Sequence, residues 1–74
     1  NKELQMNEEK LNISTRKLLK NVGVNSQRII ETSIRNAVNS GTIVSSKNII
    51  VSISLKIKDL NIEESISGEI EIEI

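Results

Sequence analysis

Apolar and polar residues alternate through the last third of the chain, and this alternation constrains the fold more than any other feature. Apolar side chains occupy every odd position from residue 51 to residue 57, and isoleucine alternates with glutamate in the closing segment "SGEIEIEI". A period of two places the two sets of side chains on opposite faces of a β-strand. We therefore expect two strands, over residues 51–58 and 62–74, each with one apolar and one polar face.

The segment between these strands predicts an antiparallel hairpin. Residues 59–61 lack the Asn-Gly or Asp-Gly signal of a two-residue turn, so we expect a loop of about three to five residues. The two apolar faces coincide only if odd residues of the first strand lie opposite even residues of the second, as in a pairing of Leu55 with Ile66. In that register Glu69, Glu71 and Glu73 lie opposite Ser52, Ile50 and Asn48.

Before the strands the apolar spacing is helical and predicts two helices. Asn7, followed by two glutamates, is typical of a helix start. Gly23 is expected to end the first helix, Asn25 to cap a second one, and Gly41 to stop it. The apolar positions are Leu11, Leu18, Leu19 and Val22, joined by Thr15, in the first helix, and Ile29, Ile30, Ile34, Ala37 and Val38 in the second.

These elements predict an α+β fold in the order α-α-β-β, with a helical hairpin packed on one face of a C-terminal antiparallel β-hairpin. Residues 1–6 have no clear period and are expected to form a poorly ordered lead-in, and residues 7–74 a single small α+β domain. Such a short chain has a thin core, and two strands are marginal alone. We therefore expect a homodimer, with edge-to-edge extension of the sheet as one geometry.

The composition removes most conventional active-site chemistry. The chain has no cysteine, no histidine and no aromatic residue, and 14 isoleucines supply most of its apolar side chains. Disulfides, thiolate nucleophiles, zinc ligand sets and histidine acid–base chemistry are therefore excluded, as are aromatic platforms for stacking bases. Neighbouring carboxylates such as Glu63 and Glu64 point to opposite faces of a strand. We expect no enzyme activity and no cofactor.

The row formed by Glu69, Glu71 and Glu73 allows three interpretations. The backbone positions are about 6.5–7 Å apart, so two neighbours can share a calcium or magnesium ion only if water supplies most of its ligands. No cluster of Asp, Asn and Gly nearby completes a loop site, and we predict no metal site. A solvated face that discourages aggregation at the sheet edge explains the row, and an acidic strip for a partner is the alternative.

Charge is divided along the chain. Residues 1–58 carry all 10 basic residues against four acidic ones, a net charge of +6, and residues 59–74 carry −6. Ion pairs within the folded chain are the simpler explanation, and attraction of an anionic partner is the other. The candidate interaction residues are Lys17, Lys20, Arg28 and Arg35 on the helical side and Glu69, Glu71 and Glu73 on the sheet side.

No apolar run is long enough to cross a bilayer and no signal sequence is evident, so we expect a cytoplasmic protein without membrane contact. The favoured function is a non-catalytic structural or protein-interaction module, with an unknown protein partner as a further expectation. A weaker alternative is nucleic-acid binding. The stretch "LLKNVGVNSQRII" resembles a helix-turn-helix with its turn at Gly23, and the hairpin would form an acidic, hence unfavourable, wing.

Three segments carry a resemblance to a known family. They are "MNEEKLN", "RKLLKNVGVNSQRIIE" and "SGEIEIEI", and the shared positions are residues 6–9, 16–28 and 68–71. In these positions the chain resembles a family of short, uncharacterised bacterial proteins, a domain of unknown function found chiefly in alphaproteobacteria. The resemblance implies a bacterial, cytoplasmic, stand-alone small protein. It assigns no catalytic or binding residue.

Overall fold

A computed structural model describes residues 4–74 of the 74-residue chain. It contains one helix, α1 (Glu8–Asn39), followed by the strands β1 (Lys47–Ile57) and β2 (Ile62–Ile72), with a 3₁₀ turn at Lys58–Leu60 between them. The chain divides between residues 39 and 40 into a helical unit and a hairpin unit. The α+β class is confirmed, but the element order is α-β-β.

The start of α1 is formed by the cap that the sequence predicts. The side-chain oxygen Oδ1 of Asn7 accepts a hydrogen bond of 3.0 Å from the backbone N–H of Lys10, and the Asn7 carbonyl accepts one of 3.1 Å from the N–H of Leu11. Two glutamates, Glu8 and Glu9, occupy the first turn, where negative charge complements the helix dipole. The lead-in expected over residues 1–6 lies partly outside the described residues.

The predicted helical hairpin is wrong, because α1 continues through Gly23 without a turn. A glycine inside a helix costs about 1 kcal/mol relative to alanine, which is too little to end a helix of 32 residues. Asn25 does not cap a second helix either, since its side-chain amide donates a hydrogen bond of 2.8 Å to the carbonyl of Asn21. The helix ends just before Gly41, whose φ of +81° lies in the left-handed region.

The hairpin has the predicted parity but a different register. Ile49 lies opposite Ile70, so odd residues of β1 face even residues of β2, as expected. The pairing of Leu55 with Ile66 is wrong by two residues, because Ile66 lies opposite Ile53. The glutamates shift with it: Glu69 lies opposite Ile50 and Glu71 opposite Asn48.

The turn explains this shift. Residues 58–61 form the loop, and Ile57 lies directly opposite Ile62. Asn61 adopts a left-handed conformation with φ 56°, and its N–H donates a hydrogen bond of 3.2 Å to the carbonyl of Lys58. Asparagine tolerates this conformation better than most residues, so the chain reverses within four residues and the strands close two positions earlier than expected.

The two faces of the hairpin differ in polarity. The polar face has a pair of serines at its centre, Ser52 and Ser67, whose hydroxyl oxygens are 3.0 Å apart. The hairpin is extended beyond the strands by Ser46, whose hydroxyl accepts a hydrogen bond of 2.8 Å from the N–H of Ile74. The apolar face consists of Ile49, Val51, Ile53, Leu55 and Ile57 from β1 and Ile62, Ile66, Gly68, Ile70 and Ile72 from β2, with Lys47 and Glu64 as polar exceptions.

Burial of apolar side chains is slight in residues 4–74. Ile72 is buried, with 9% of its surface exposed, and it is the one apolar residue of this part of the chain that reaches that level. The helix contains no buried residue, although Ile30 and Ile34 are half-buried. A large apolar surface of both units therefore remains open to solvent.

Candidate interaction surface

Most apolar positions of α1 form one continuous stripe with a period of eleven residues, while Ile13, Val24, Ile34 and Val38 lie outside it. Leu11 is followed after eleven residues by Val22, Leu18 by Ile29, and Leu19 by Ile30. Eleven residues make about three helical turns, so these positions stay on one side of a straight helix. We call this set the stripe. Its members are Leu11, Thr15, Leu18, Leu19, Val22, Ser26, Ile29, Ile30, Ser33 and Ala37.

Most of the large side chains of the stripe are exposed, and Ile30 is half-buried. Leu18 is 61% exposed, Ile29 57% and Leu19 51%. Repeated apolar positions along one side of a long helix are typical of helices that pair with another helix. The stripe is thus an exposed apolar surface of the helical unit.

The positions that border the stripe carry no charge. On one side these are Asn12 and Gly23, and on the other they are Ser14, Asn25 and Asn36. The nearest charged residues are Glu8, which lies at the N-terminal end of the stripe eleven residues before Leu19, and Arg16, which lies farther round the helix. Short uncharged side chains at the border allow another helix to approach without bringing like charges together.

The four predicted cations of the helix share the face opposite the stripe. Lys17, Lys20, Arg28 and Arg35 are all exposed, and Lys17 and Arg28 are again eleven residues apart. Arg28 donates a hydrogen bond of 3.3 Å to the side-chain oxygen of Asn25. All four cations therefore lie on the outer face of a single helix, and their role in an interaction stays a prediction.

Arg35 belongs to a small polar network on this outer face. Its guanidinium forms an ion pair of 2.9 Å with Glu31, and the side-chain amide of Gln27 donates a hydrogen bond of 2.9 Å to the other carboxylate oxygen. The hydrogen bond from Gln27, and then the hydrogen bond and charge of Arg35, lower the pKa of Glu31 below its ordinary value of 4.5. These contacts at i, i+4 spacing stabilise the second half of α1.

The predicted acidic residues lie in the hairpin unit. Glu69 and Glu71 are on the polar face of β2, and Glu73 follows the end of the strand. Within residues 4–74, no group of three or more carboxylates is placed to hold a metal ion. No ion pair joins these glutamates to a base in that part of the chain. They remain an exposed row whose charge is balanced by no neighbouring side chain.

The helix-turn-helix interpretation fails on its central element. The turn that it requires at Val22, Gly23 and Val24 is a regular part of α1. Val24 and Ile29, which follow the glycine of the supposed turn, are 64% and 57% exposed. Sequence reasoning missed the stripe because it treated Gly23 as a boundary. The repeat of eleven residues across that glycine was the signal that could have found it.

The fold and the exposed stripe define a class of small α+β proteins with a long amphipathic helix and a C-terminal hairpin. The sequence model of a family of unknown function, DUF6494, matches residues 6–73, and the chain belongs to this family. The match contains the shared positions on which the resemblance was based, residues 6–9, 16–28 and 68–71. No curated protein and no solved structure matches the chain. No helix within the described residues has the length and apolar character needed to span a membrane.

Proposed function

We propose that this chain is a non-catalytic protein-interaction module that self-associates as a homodimer through the stripe of α1. The observation that carries the proposal is a helix of 32 residues without one buried residue, although apolar side chains repeat along its whole length. Helices in proteins owe most of their stability to packing of an amphipathic face. A helix with such a face and no cover needs a partner.

A second copy of the chain is the occupant that fits the stripe. The surface repeats every eleven residues, so two copies can bring apolar positions together along the whole length of the helix. Its borders, with Asn12 and Gly23 on one side and Asn25 on the other, bring no like charges together. The outer face with Lys17 and Arg28 points away from the contact and stays in water.

The non-catalytic part of the proposal is supported by chemistry. The chain has no histidine and no cysteine. The carboxylates of Glu63 and Glu64, adjacent on β2, point to opposite faces of the hairpin. The hairpin does place one acid opposite one base, Glu63 opposite Lys56, but both are exposed on the polar face, where such a pair is typical of cross-strand charge pairing.

Two matched double variants test the proposal. Leu18→Gln with Ile29→Gln removes two exposed apolar residues from the stripe. Ile13→Gln with Val24→Gln removes two residues that are equally exposed, 61% and 64%, and also eleven positions apart, but that lie on the opposite side of the helix. Each buried leucine or isoleucine stabilises a contact by about 1.5–3 kcal/mol. Losing four per dimer therefore weakens association at least about a thousandfold.

Sedimentation velocity at several concentrations gives the readout. The unmodified chain and the Ile13/Val24 variant are expected to sediment as dimers, and the Leu18/Ile29 variant as a monomer. If the two variants sediment with the same mass, the stripe is not the contact surface. A dimer that survives in both would place the contact elsewhere, for instance at the edges of the hairpin.

A further inference from the structure

The second inference concerns the hairpin unit and rests on the proposed self-association, which brings two hairpins into one dimer. β1 and β2 form a sheet of two strands, so within the described residues each strand has one edge without another strand beside it. We propose that the free edge of β1 pairs antiparallel with the same edge of the second copy, with the two-fold axis at Ser52. The dimer then contains one sheet of four strands in the order β2-β1-β1-β2.

The two free edges differ in charge. β2 carries four acidic residues along its length, which are Glu63, Glu64, Glu69 and Glu71. β1 carries two charged residues, Lys47 and Lys56, close to its ends, and residues 48–55 between them are uncharged. Proteins commonly protect free edge strands with charged side chains, because an uncharged edge recruits other strands. The edge of β2 is protected in this way, and the middle of β1 is not.

The uncharged part of β1 has the composition of a strand that pairs with other chains. Its sequence, "NIIVSISL", contains three isoleucines and a valine, and neither proline nor glycine. Segments with high β-propensity and no charge, proline or glycine readily pair with strands of other molecules. Ile50 belongs to this segment, lies on the polar face opposite Glu69, and is 73% exposed. A strand added beside β1 covers part of that side chain.

A second copy of β1 is the occupant that closes the sheet. If a β1 edge paired with a β2 edge, one free edge would remain at each end and the sheet would continue to grow, whereas pairing of one edge with itself stops at a dimer. To keep the apolar faces on one side, odd residues must lie opposite odd residues. Lys47 and Lys56 differ in parity, so they never lie opposite each other in such a register.

The axis at Ser52 uses the whole strand, because this residue is the middle one of the eleven in β1. On the apolar face Val51 then lies opposite Ile53 of the second copy. On the polar face Lys56 lies opposite Asn48, so no two charges meet. The register therefore joins the two apolar faces without repulsion between side chains.

The corresponding pairing of two β2 strands is unfavourable. Ser67 is the middle residue of β2, and an axis there places Glu63 opposite Glu71 of the second copy. Moving the axis by one residue, to Ile66, places Glu63 opposite Glu69 instead. Like charges directly opposite each other destabilise a strand pair. The glutamates of β2 thus select the β1 edge for pairing between identical chains.

Association through the stripe makes the strand contact a contact within one dimer. Each hairpin is linked to its helix by residues 40–46. Short links give a second contact an effective concentration on the order of millimolar. The strands therefore pair at micromolar protein concentration when the stripe is intact, and the pairing is lost when the stripe is disrupted.

Two matched cysteine variants test the strand contact, since the chain has no cysteine of its own. Ser52 and Ser67 lie opposite each other in the hairpin, with their hydroxyl oxygens 3.0 Å apart, and differ in the strand that carries them. In the four-stranded sheet, residue 52 lies opposite its own copy on the adjacent strand, within the roughly 7 Å between Cα atoms that a disulfide allows. Residue 67 is three strand spacings, about 14 Å, from its copy.

Each full-length variant is oxidised at micromolar concentration, and the products are resolved by mass. We expect a disulfide-linked dimer from Ser52→Cys and none from Ser67→Cys. Linkage of Ser67→Cys alone would overturn the proposal in favour of the β2 edge. Equal linkage of the two variants would overturn it as well, because the disulfides would then report collisions, and so would the absence of linkage in both.

The same variant separates this inference from the proposed function. If the unmodified chain is a dimer and Ser52→Cys does not link, the strand pairing is refuted and the stripe is not. Adding Leu18→Gln and Ile29→Gln to Ser52→Cys should abolish the linkage. Undiminished linkage in that background would refute association through the stripe and support pairing of the strands.

Amide hydrogen exchange measures the contact without a substitution. In a hairpin of two strands, alternate N–H groups of each strand point to the free edge and exchange quickly. Pairing through β1 predicts slow exchange at successive residues of β1, and alternating slow and fast exchange along β2. Alternation in both strands, or slow exchange at successive residues of β2 alone, would overturn the inference.

Discussion

Ile29 lies eleven residues after Leu18 on α1, and the two side chains occupy the same side of the helix, 57% and 61% exposed. Gly23 stands between them without interrupting the helix. The two residues therefore belong to a single apolar surface about three turns apart, and not to two separate helices. Covering that surface with a second copy is the central claim, and the first prediction follows from it.

Helix formation is expected to depend on protein concentration. Because α1 has no buried residue, the proposed dimer would supply much of its stability, and dilution below the dissociation constant should lower the helical signal. Far-ultraviolet circular dichroism over a dilution series measures this directly. A helical signal per residue that stays constant down to the monomeric range would show that α1 needs no partner to fold.

Alanine substitutions at two glycines are expected to act in opposite directions. Gly23→Ala adds a methyl group where no atom lies within 4 Å, in the interior of a helix, and should stabilise the protein by about 1 kcal/mol. Gly41→Ala adds a side chain to a residue whose φ of +81° lies in the left-handed region, and it should destabilise the protein by about 1–2 kcal/mol. Thermal unfolding at matched concentration measures both changes.

The sign of the stability change caused by Gly23→Ala decides between a single helix and a helical hairpin. A helical hairpin needs a left-handed residue at this glycine, and alanine would then destabilise the protein as it does at Gly41. A continuous helix gains from the same substitution. Destabilisation by Gly23→Ala would contradict the single helix.

Loss of the cap at Asn7 is expected to destabilise α1. Asn7→Ala removes the side-chain oxygen that accepts the N–H of Lys10 and should cost about 1 kcal/mol. Asn12→Ala, inside the helix, replaces an exposed asparagine with a better helix former and serves as the control, expected to be neutral or slightly stabilising. Equal effects of the two substitutions in urea unfolding would refute the assigned start of the helix.

Protonation of the Glu31 carboxylate is expected to make the helix less stable in acid. Hydrogen bonds from Gln27 and Arg35 keep its pKa in the folded state below 4.5, so their stabilising contribution is present above that pH and is lost as the pH falls through the folded-state value. Glu31→Gln removes this titration. The difference in melting temperature between the two proteins should shrink as the pH is lowered from neutral to acid. A difference that widens in acid would reverse the sign of the assigned pKa change.

The hairpin could be predicted largely from the sequence because its signal is local. The alternation of polar and apolar residues defines both strands, and parity fixes which faces coincide, as the pair of Ile49 and Ile70 shows. The register itself depends on the geometry of the turn. The left-handed conformation of Asn61 closes the hairpin two residues earlier than the alternation alone indicated.

The helix and its surface were harder to predict for an energetic reason. A glycine is a weak local signal worth about 1 kcal/mol, and the continuous apolar repeat from Leu11 to Ile30 outweighs it. The basic residues of the outer face, such as Lys17 and Arg28, are visible in the sequence as charge. The role proposed for the stripe is not visible from one chain, because that proposal has a second molecule cover it.

The mass of the unmodified chain in solution tests the central claim most directly. Light scattering across a micromolar dilution series should give twice the 8.3 kDa of one chain at the upper concentrations, falling towards the monomer mass on dilution. A constant mass of 8.3 kDa at every concentration would contradict pairing through the stripe.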